Sequence, residues 1–216
     1  MPVVENTQNQ IKRGRFIVFE GIDGAGKTTQ IDLLAKYLQT SGRHILRTAE
    51  PTESVSGGLL RDALGGVSKR SACEMAALFV LDRIFHNVNP ITGIEKMLSD
   101  GVDVICDRYY YSSLAYQGSE TDPEWVRAMN LNCPEICRPD LCIFLDLTPE
   151  QSMERIGKGR VTLEVYENVE RLTRVRKQFF DVFDSLGENE RICVVNAARS
   201  VEEIHQEIVS IVEKLF

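Results

Sequence analysis

No uninterrupted apolar stretch among the 216 residues approaches the roughly 20 that a membrane-spanning helix needs, which excludes an integral helical membrane protein. Positive charge is scarce, because 25 Lys and Arg face 32 Asp and Glu and leave a formal net charge of -7. That balance argues against broad binding to the phosphate backbone of DNA or RNA, though not against a local anion site. Cysteine is sparse as well, and six are few for a chain of this length to be a disulfide scaffold. Cys106, Cys142 and Cys193 each sit inside an apolar run, where a buried thiol packs as a small hydrophobe. Cys133 and Cys137 come closer to metal-ligand spacing, but no second pair and no nearby histidine completes a four-ligand set. Structural thiols in a reducing, cytoplasmic location are the expectation. Met1–Gln10 is polar, contains Glu5 and lacks an apolar core, so it does not read as a secretory signal.

What is present is a chain 43% hydrophobic and 26% charged, too apolar for disorder. Its length suits one large domain able to bury about 70% of its unfolded surface. Short β-branched runs at 15–20, 44–48, 102–107, 141–147 and 191–196 alternate with helical patterns. Most of the runs are nearly continuous in apolar residues, as strands buried on both faces of a parallel sheet are. Helices are expected over 27–40, 71–100 (broken near Pro90), 112–117, 149–156, 164–186 and 201–215. The alternation predicts an α/β fold, a five-stranded parallel sheet with helices on both faces. Residues 1–13 read as a loose tail and 14–216 as a single domain.

Directly after the first strand stands Gly21-Ile22-Asp23-Gly24-Ala25-Gly26-Lys27-Thr28, followed by Thr29. Glycines at this spacing let several backbone N–H groups face one anion, and the following helix adds the positive end of its dipole. Lys27 would reach the β- and γ-phosphates of a nucleotide, and the Thr28 hydroxyl would ligate Mg²⁺. The bland alternative is a glycine-rich turn with a chance lysine, which the strand–loop–helix context disfavours. Asp107 closes the third apolar run, at the carboxyl end of a buried strand, where a carboxylate can hold the metal's water shell. No guanine-reading Asn-Lys-x-Asp motif follows, which weakens a GTPase reading.

Two clusters combine arginine with aromatic rings. Phe79 and Arg83 are four apart and share a helix face, so one can stack on a flat ring while the other pairs with a phosphate. The second cluster is Asp107-Arg108-Tyr109-Tyr110-Tyr111-Ser112-Ser113-Leu114-Ala115-Tyr116-Gln117-Gly118. At these residues the sequence resembles the thymidylate kinase family of P-loop nucleoside monophosphate kinases. The matching stretches are FIVFEGIDGAGKTTQ (16–30), AEPTES (49–54), LFVLDR (78–83), DRYYYSSLAYQG (107–118) and PDLCIFLDL (139–147).

The resemblance implies a P-loop NTPase fold with a short basic lid near 155–165, and phosphoryl transfer from ATP-Mg²⁺ to dTMP by a homodimer. It implies that Phe79 stacks on thymine, that Arg83 and Arg108 bind the monophosphate, and that Tyr116 lies against the sugar. It places Ser112, Gln117 and Tyr166 near the base, Asp23 near the 3′-hydroxyl and the reacting phosphates, and Glu50 and Pro51 in the acceptor loop. Arg155 and Lys158 are expected on ATP, and the catalytic lid cation is one of Arg155, Lys158 and Arg160, with Arg160 favoured.

Three positions depart from the family pattern. Ala49 stands where an arginine often precedes Glu-Pro, and Arg47, two residues earlier and on the same face if the strand continues, could substitute for it. Gly24 stands where some members carry a loop arginine, and Val165 where the lid motif has another. The alternatives are another nucleoside monophosphate or deoxynucleoside kinase on the same frame, or a P-loop switch or ATPase.

Overall fold

A computed structural model describes residues 12–157 and 163–216, without the side chains of 163–168. Five strands, β1 (Phe16–Glu20), β2 (Ile45–Ala49), β3 (Asp103–Asp107), β4 (Leu141–Asp146) and β5 (Ile192–Asn196), form one sheet in the order β2-β3-β1-β4-β5. Every neighbouring pair runs parallel, as the alternating pattern predicts. The helices among the described residues are α1 (Lys27–Thr40), α2 (Val55–Leu64), α3 (Ala72–Val88), α4 (Ile94–Ser99), α5 (Tyr110–Glu120), α6 (Pro123–Leu131), α7 (Pro149–Ile156), α8 (Leu163–Leu186) and α9 (Val201–Val212).

Strand parity divides the core into two layers. Phe16, Val18, Val104, Cys106, Cys142 and Phe144 face α3, α5 and α8, meeting Val80, Ala115, Phe179 and Phe183. Ile17, Phe19, Ile105, Leu141, Ile143 and Leu145 face the opposite side, against Leu34 and Leu38 of α1 and Ile204, Ile208 and Val212 of α9. β1 and β3 are neighbours, yet the chain leaves β1 towards β2 and leaves β3 towards β4 on the other side. Ligands of open α/β sheets bind at such a reversal, outside the carboxyl ends of the strands.

Local chemistry sets the helix limits. Ser71 with Glu74, Thr148 with Gln151 and Ser200 with Glu203 form capping boxes at the starts of α3, α7 and α9. The long expected helix over 71–100 is two, since α3 stops at Val88 and α4 starts at Ile94, on either side of Pro90. Two helices were not expected. α2 is capped by Ser54, whose Oγ accepts from Gly57 N at 3.2 Å. Glycine is required there, because a Cβ on residue 57 would stand 1.8 Å from the Thr52 carbonyl oxygen. α6 opens on Asp122 as N-cap with Pro123 in its first turn. The helix expected over 112–117 is longer, at Tyr110–Glu120.

Of the residues assigned to the tail, Arg13 bonds Asp140 at 2.8 Å, and residues 1–11 lie outside the described set. Among the described residues no helix is long and apolar enough to cross a membrane.

Candidate active site

The glycine-rich segment lies between the end of β1 and the first turn of α1, at the sheet's reversal point. A cavity of about 510 Å³ opens over it, lined by Asp23, Gly24, Gly26, Lys27, Thr28, Thr29, Ala49, Glu50, Asp107, Arg108 and Arg155. Gly21, Ile22 and Ala25, also expected at ATP, are buried behind this surface. The Lys27 ammonium bonds the carbonyls of Gly21 (3.1 Å) and Ile22 (3.4 Å). Burial, with Arg108 adding to it, pulls the Lys27 pKa below the ordinary lysine value.

Gly24 has φ +76°, and a Cβ there would lie 3.0 Å from both Ile156 Cγ1 and the Ser152 carbonyl. α7 therefore fills the space that a side chain at this loop position would take. The Ser152 hydroxyl also donates to the Asp23 carbonyl at 2.5 Å. Arg155, in the last turn of α7, donates to the carbonyls of Gly24, Ala25 and Ala197 at 3.4, 3.5 and 2.7 Å. Arg155, expected at the start of the lid, thus belongs to α7 and bonds the backbone of the glycine-rich loop. Lys158 and Arg160 lie outside the described residues, as do the side chains of Val165 and Tyr166.

Asp107 closes β3 beside Thr28. Its Oδ1 is buried and has no hydrogen-bond partner, and burial raises its pKa against the opposing pull of Lys27 and Arg108. A buried carboxylate oxygen with nothing to bond, next to an exposed threonine hydroxyl in the loop cavity, suits a hydrated divalent cation.

A second cavity of about 400 Å³ adjoins the first. It is lined by Pro51, Leu64, Met75, Phe79, Arg83, Tyr109, Ser112, Tyr116, Gln117, Glu120 and Arg171, and shares Asp23, Glu50 and Arg108 with the loop cavity. The structure thus brings Glu50, Pro51, Phe79, Arg83, Arg108, Ser112, Tyr116 and Gln117 together. Arg108 is a non-glycine residue at φ 67°, held there by its N–H on the Phe19 carbonyl at 2.9 Å. Its guanidinium reaches back to Asp23 (2.6 Å) and Ser112 Oγ (3.1 Å) and lies 5.7 Å from the centre of the Tyr116 ring. Burial opposes its charge, but Tyr116, Glu20, Asp23 and Asp107 together raise its pKa above an ordinary arginine's.

Arg83 is 1% exposed. Its Nε and Nη2 both donate to Glu50 Oε2 (2.9 and 2.6 Å), Nη2 also donates to Ser113 Oγ at 3.2 Å, and Nη1 donates to Asn130.

Several residues that order the site carried no legible signal. Glu20, at the end of β1, accepts from the N–H groups of Tyr109 (2.9 Å) and Ser112 (3.1 Å) and from the Ser112 hydroxyl (2.7 Å). It thereby fixes the start of α5, and burial raises its pKa. Ser112, expected near the base, is engaged with Glu20 and Arg108. Asp82 accepts from the backbone of Thr52 and the hydroxyls of Thr52, Ser54 and Ser56, all at 2.7–2.8 Å, which ties the loop after β2 to α3. The expected substitution of Arg47 for the missing arginine at Ala49 is not what the structure has. Arg47 pairs with Asp32 on α1 and lines neither cavity.

The family model described as thymidylate kinase matches residues 19–208. A probable thymidylate kinase of Pyrococcus horikoshii is 43% identical over 208 residues, covering 93% of this chain and 97% of that protein. One from Thermococcus gammatolerans is 40% identical, with 93% and 97% covered. A thymidylate kinase of Desulfotalea psychrophila is 36% identical, with 94% and 96% covered.

Proposed function

The chain belongs to the thymidylate kinase family, and we propose that it transfers the γ-phosphoryl group of ATP to dTMP, giving dTDP and ADP for dTTP synthesis. The observation that carries this reading is that the loop cavity and the acceptor cavity share Asp23, Glu50 and Arg108. Two anionic substrates seated on either side of those residues meet phosphate to phosphate. An oxygen of the dTMP phosphate forms the new bond to the γ-phosphorus as the bond to the β–γ bridging oxygen breaks. Such a transfer needs little covalent help, and rate comes from in-line positioning and from neutralising the oxygens that gain charge.

The loop backbone and the start of α1 hold the donor's phosphates. Lys27, taken off its two carbonyls, places its ammonium on the β- and γ-oxygens. Thr28 and Asp107 would hold Mg²⁺, which would supply positive charge to offset that of the donor's phosphates. Arg83 and Arg108 hold the acceptor phosphate and cancel repulsion between the two anions. Phe79 stacks on the thymine, Gln117 and Tyr166 border the base, and Tyr116 packs against the sugar. Asp23, bonded to Arg108, keeps that guanidinium at the junction of the cavities. Arg160 of the lid is the cation that closes over the transferring group, with Lys158 and Arg155 beside the donor. A second copy of the chain covers Leu81, Phe85 and Val88, which leave an exposed apolar stripe along α3. The enzyme works in the cytoplasm on free nucleotides.

A coupled assay of ADP release tests the reading. ADP release stimulated by dTMP above dUMP, dCMP and thymidine is expected; preference for any of those acceptors, or release indifferent to all, would overturn it.

A further inference from the structure

We propose that His86 is a positioning residue for the acceptor phosphate, holding one oxygen of Glu50 so that Arg83 cannot close a two-oxygen fork with that carboxylate. The inference rests on the acceptor role given to Arg83 above.

Arg83 and His86 lie three apart on α3 and face the same partner. Glu50 Oε2 accepts both Arg83 contacts, at 2.9 Å from Nε and 2.6 Å from Nη2. Glu50 Oε1 meets His86 Nδ1 at 3.0 Å, and His86 Nε2 meets Thr48 Oγ1 at 2.7 Å. Glu50, Arg83 and His86 are all buried. An arginine left alone with a carboxylate favours two parallel bonds, one to each oxygen. Here both bonds converge on one oxygen because the other is occupied. A carboxylate only accepts, so Nδ1 carries the hydrogen, and in a neutral ring Nε2 accepts from the Thr48 hydroxyl. The chain of bonds therefore has one direction: Thr48 to His86 to Glu50, with Arg83 donating to the far oxygen.

The consequence falls on the guanidinium. Ser113 takes the second Nη2 hydrogen and Asn130 one of the two on Nη1. The remaining Nη1 hydrogen has no partner among the described residues, while Arg83 lines the acceptor cavity. Were Oε1 released, the guanidinium could rotate into a full fork with Glu50, and its charge would be more completely cancelled before an acceptor arrived.

His86→Asn keeps an N–H near the Nδ1 position, whereas His86→Gln keeps a polar atom near Nε2 only. His86→Ala is expected to raise KM for dTMP about tenfold, the size of one hydrogen bond to a charged group, with kcat and KM for ATP unchanged. His86→Asn should restore most of that loss and His86→Gln little. Rescue by Gln rather than Asn, an unchanged KM for dTMP in His86→Ala, or a parallel rise in both KM values would overturn the proposal.

Imidazole ¹⁵N spectra of the unliganded wild-type protein add a readout free of catalysis. With three histidines in the sequence, the His86 signals are identified by their loss in His86→Asn. A hydrogen on Nδ1 is expected, and a ring protonated only at Nε2 would overturn the proposal. Wild-type protein that releases no ADP in response to dTMP would instead overturn the proposed function and the acceptor role with it. Full dTMP turnover with an insensitive His86→Ala would bring down this inference alone.

Discussion

The two halves of the site are built in opposite ways. On the donor side the anion seat is made of backbone, and its key side chains are uncommitted or held only by carbonyls. Thr28 and Thr29 are exposed, Asp107 Oδ1 has no partner, and Lys27 rests on two carbonyls of its own loop. On the acceptor side the cations are already tied to side chains, Arg83 to Glu50, Asn130 and Ser113, and Arg108 to Asp23 and Ser112. The donor half waits for its ligand to complete it, whereas the acceptor half is a finished network that a ligand joins. Mutations on the acceptor side should therefore cost folding stability together with binding, and mutations on the donor side should cost rate alone.

The largest effect tests that contrast directly. Arg83→Met leaves Glu50 buried without its guanidinium, and breaking a buried pair in this way costs about 3–5 kcal/mol. Denaturant midpoints should show a loss of that order. The double variant Arg83→Met with Glu50→Gln should recover part of it, because the orphaned charge is gone. A stable single variant with impaired dTMP binding alone would break the comparison.

Lys27→Met comes next. Removing one preorganised donor to developing charge lowers kcat about 10²–10³-fold. Stability should hold or rise, since burial already disfavours the ammonium. Single-turnover rates and thermal midpoints on the same samples check both halves. A destabilisation matching that of Arg83→Met would show that Lys27 is as much a part of the folded network as Arg83.

The same difference decides what the sequence made legible. A backbone-built anion seat needs its glycines, lysine and threonine at fixed spacing in one contiguous segment, so the loop over 21–28 could be read directly, and with it the parallel sheet whose apolar runs flank it. A side-chain network joins residues far apart in the chain. Arg83 meets Glu50 and Asn130 across 33 and 47 positions, and Ser112 meets Glu20 across 92. The arginines of the acceptor side were visible because they stand beside aromatic residues. Asn130, which bonds Arg83, and Glu20 and His86, which bond Ser112 and Glu50 beside the arginines, were not, because a lone acidic or polar residue in a strand or helix has no spacing to betray it. Asn130 was hidden further by α6, whose Asp122-Pro123 start was readable but whose nine residues give too short an apolar period. α2 was masked by Gly57 and Gly58, a pair that lowers helical propensity.

Glu20→Gln sharpens the comparison by pH. Burial raises the folded-state pKa of Glu20 above its ordinary 4.5, so the folded protein binds this proton more tightly than the unfolded chain does. As pH rises from about 4.5 through the folded value, the unfolded chain gives up its proton first and the wild type loses stability. Glutamine removes that loss, so the variant should gain on the wild type as pH rises across this window. Its amide oxygen still accepts from Tyr109 and Ser112, but the Ser112 hydroxyl loses its carboxylate, so acceptor binding should weaken by about 1 kcal/mol. Midpoints compared from about pH 5 to about pH 8 carry the test. A difference that shrinks with rising pH would mean that Glu20 is stabilised as a carboxylate in the fold.

The smallest effect concerns Arg47, two residues before Ala49, one of the three positions that depart from the family pattern. Arg47 and Asp32 are each more than half exposed, and an ion pair of that kind contributes about 0–1 kcal/mol. Arg47 lines neither cavity, whereas Ala49 borders the loop cavity with a methyl group. Arg47→Ala should therefore leave kcat and both KM values unchanged and shift the denaturation midpoint only slightly. If KM for dTMP rose instead, Arg47 would have to leave Asp32 when the acceptor binds and swing along β2 into the place that Ala49 vacates. The acceptor side would then hold one cation assembled only on binding, and the division between a waiting half and a finished half would run through the acceptor pocket itself.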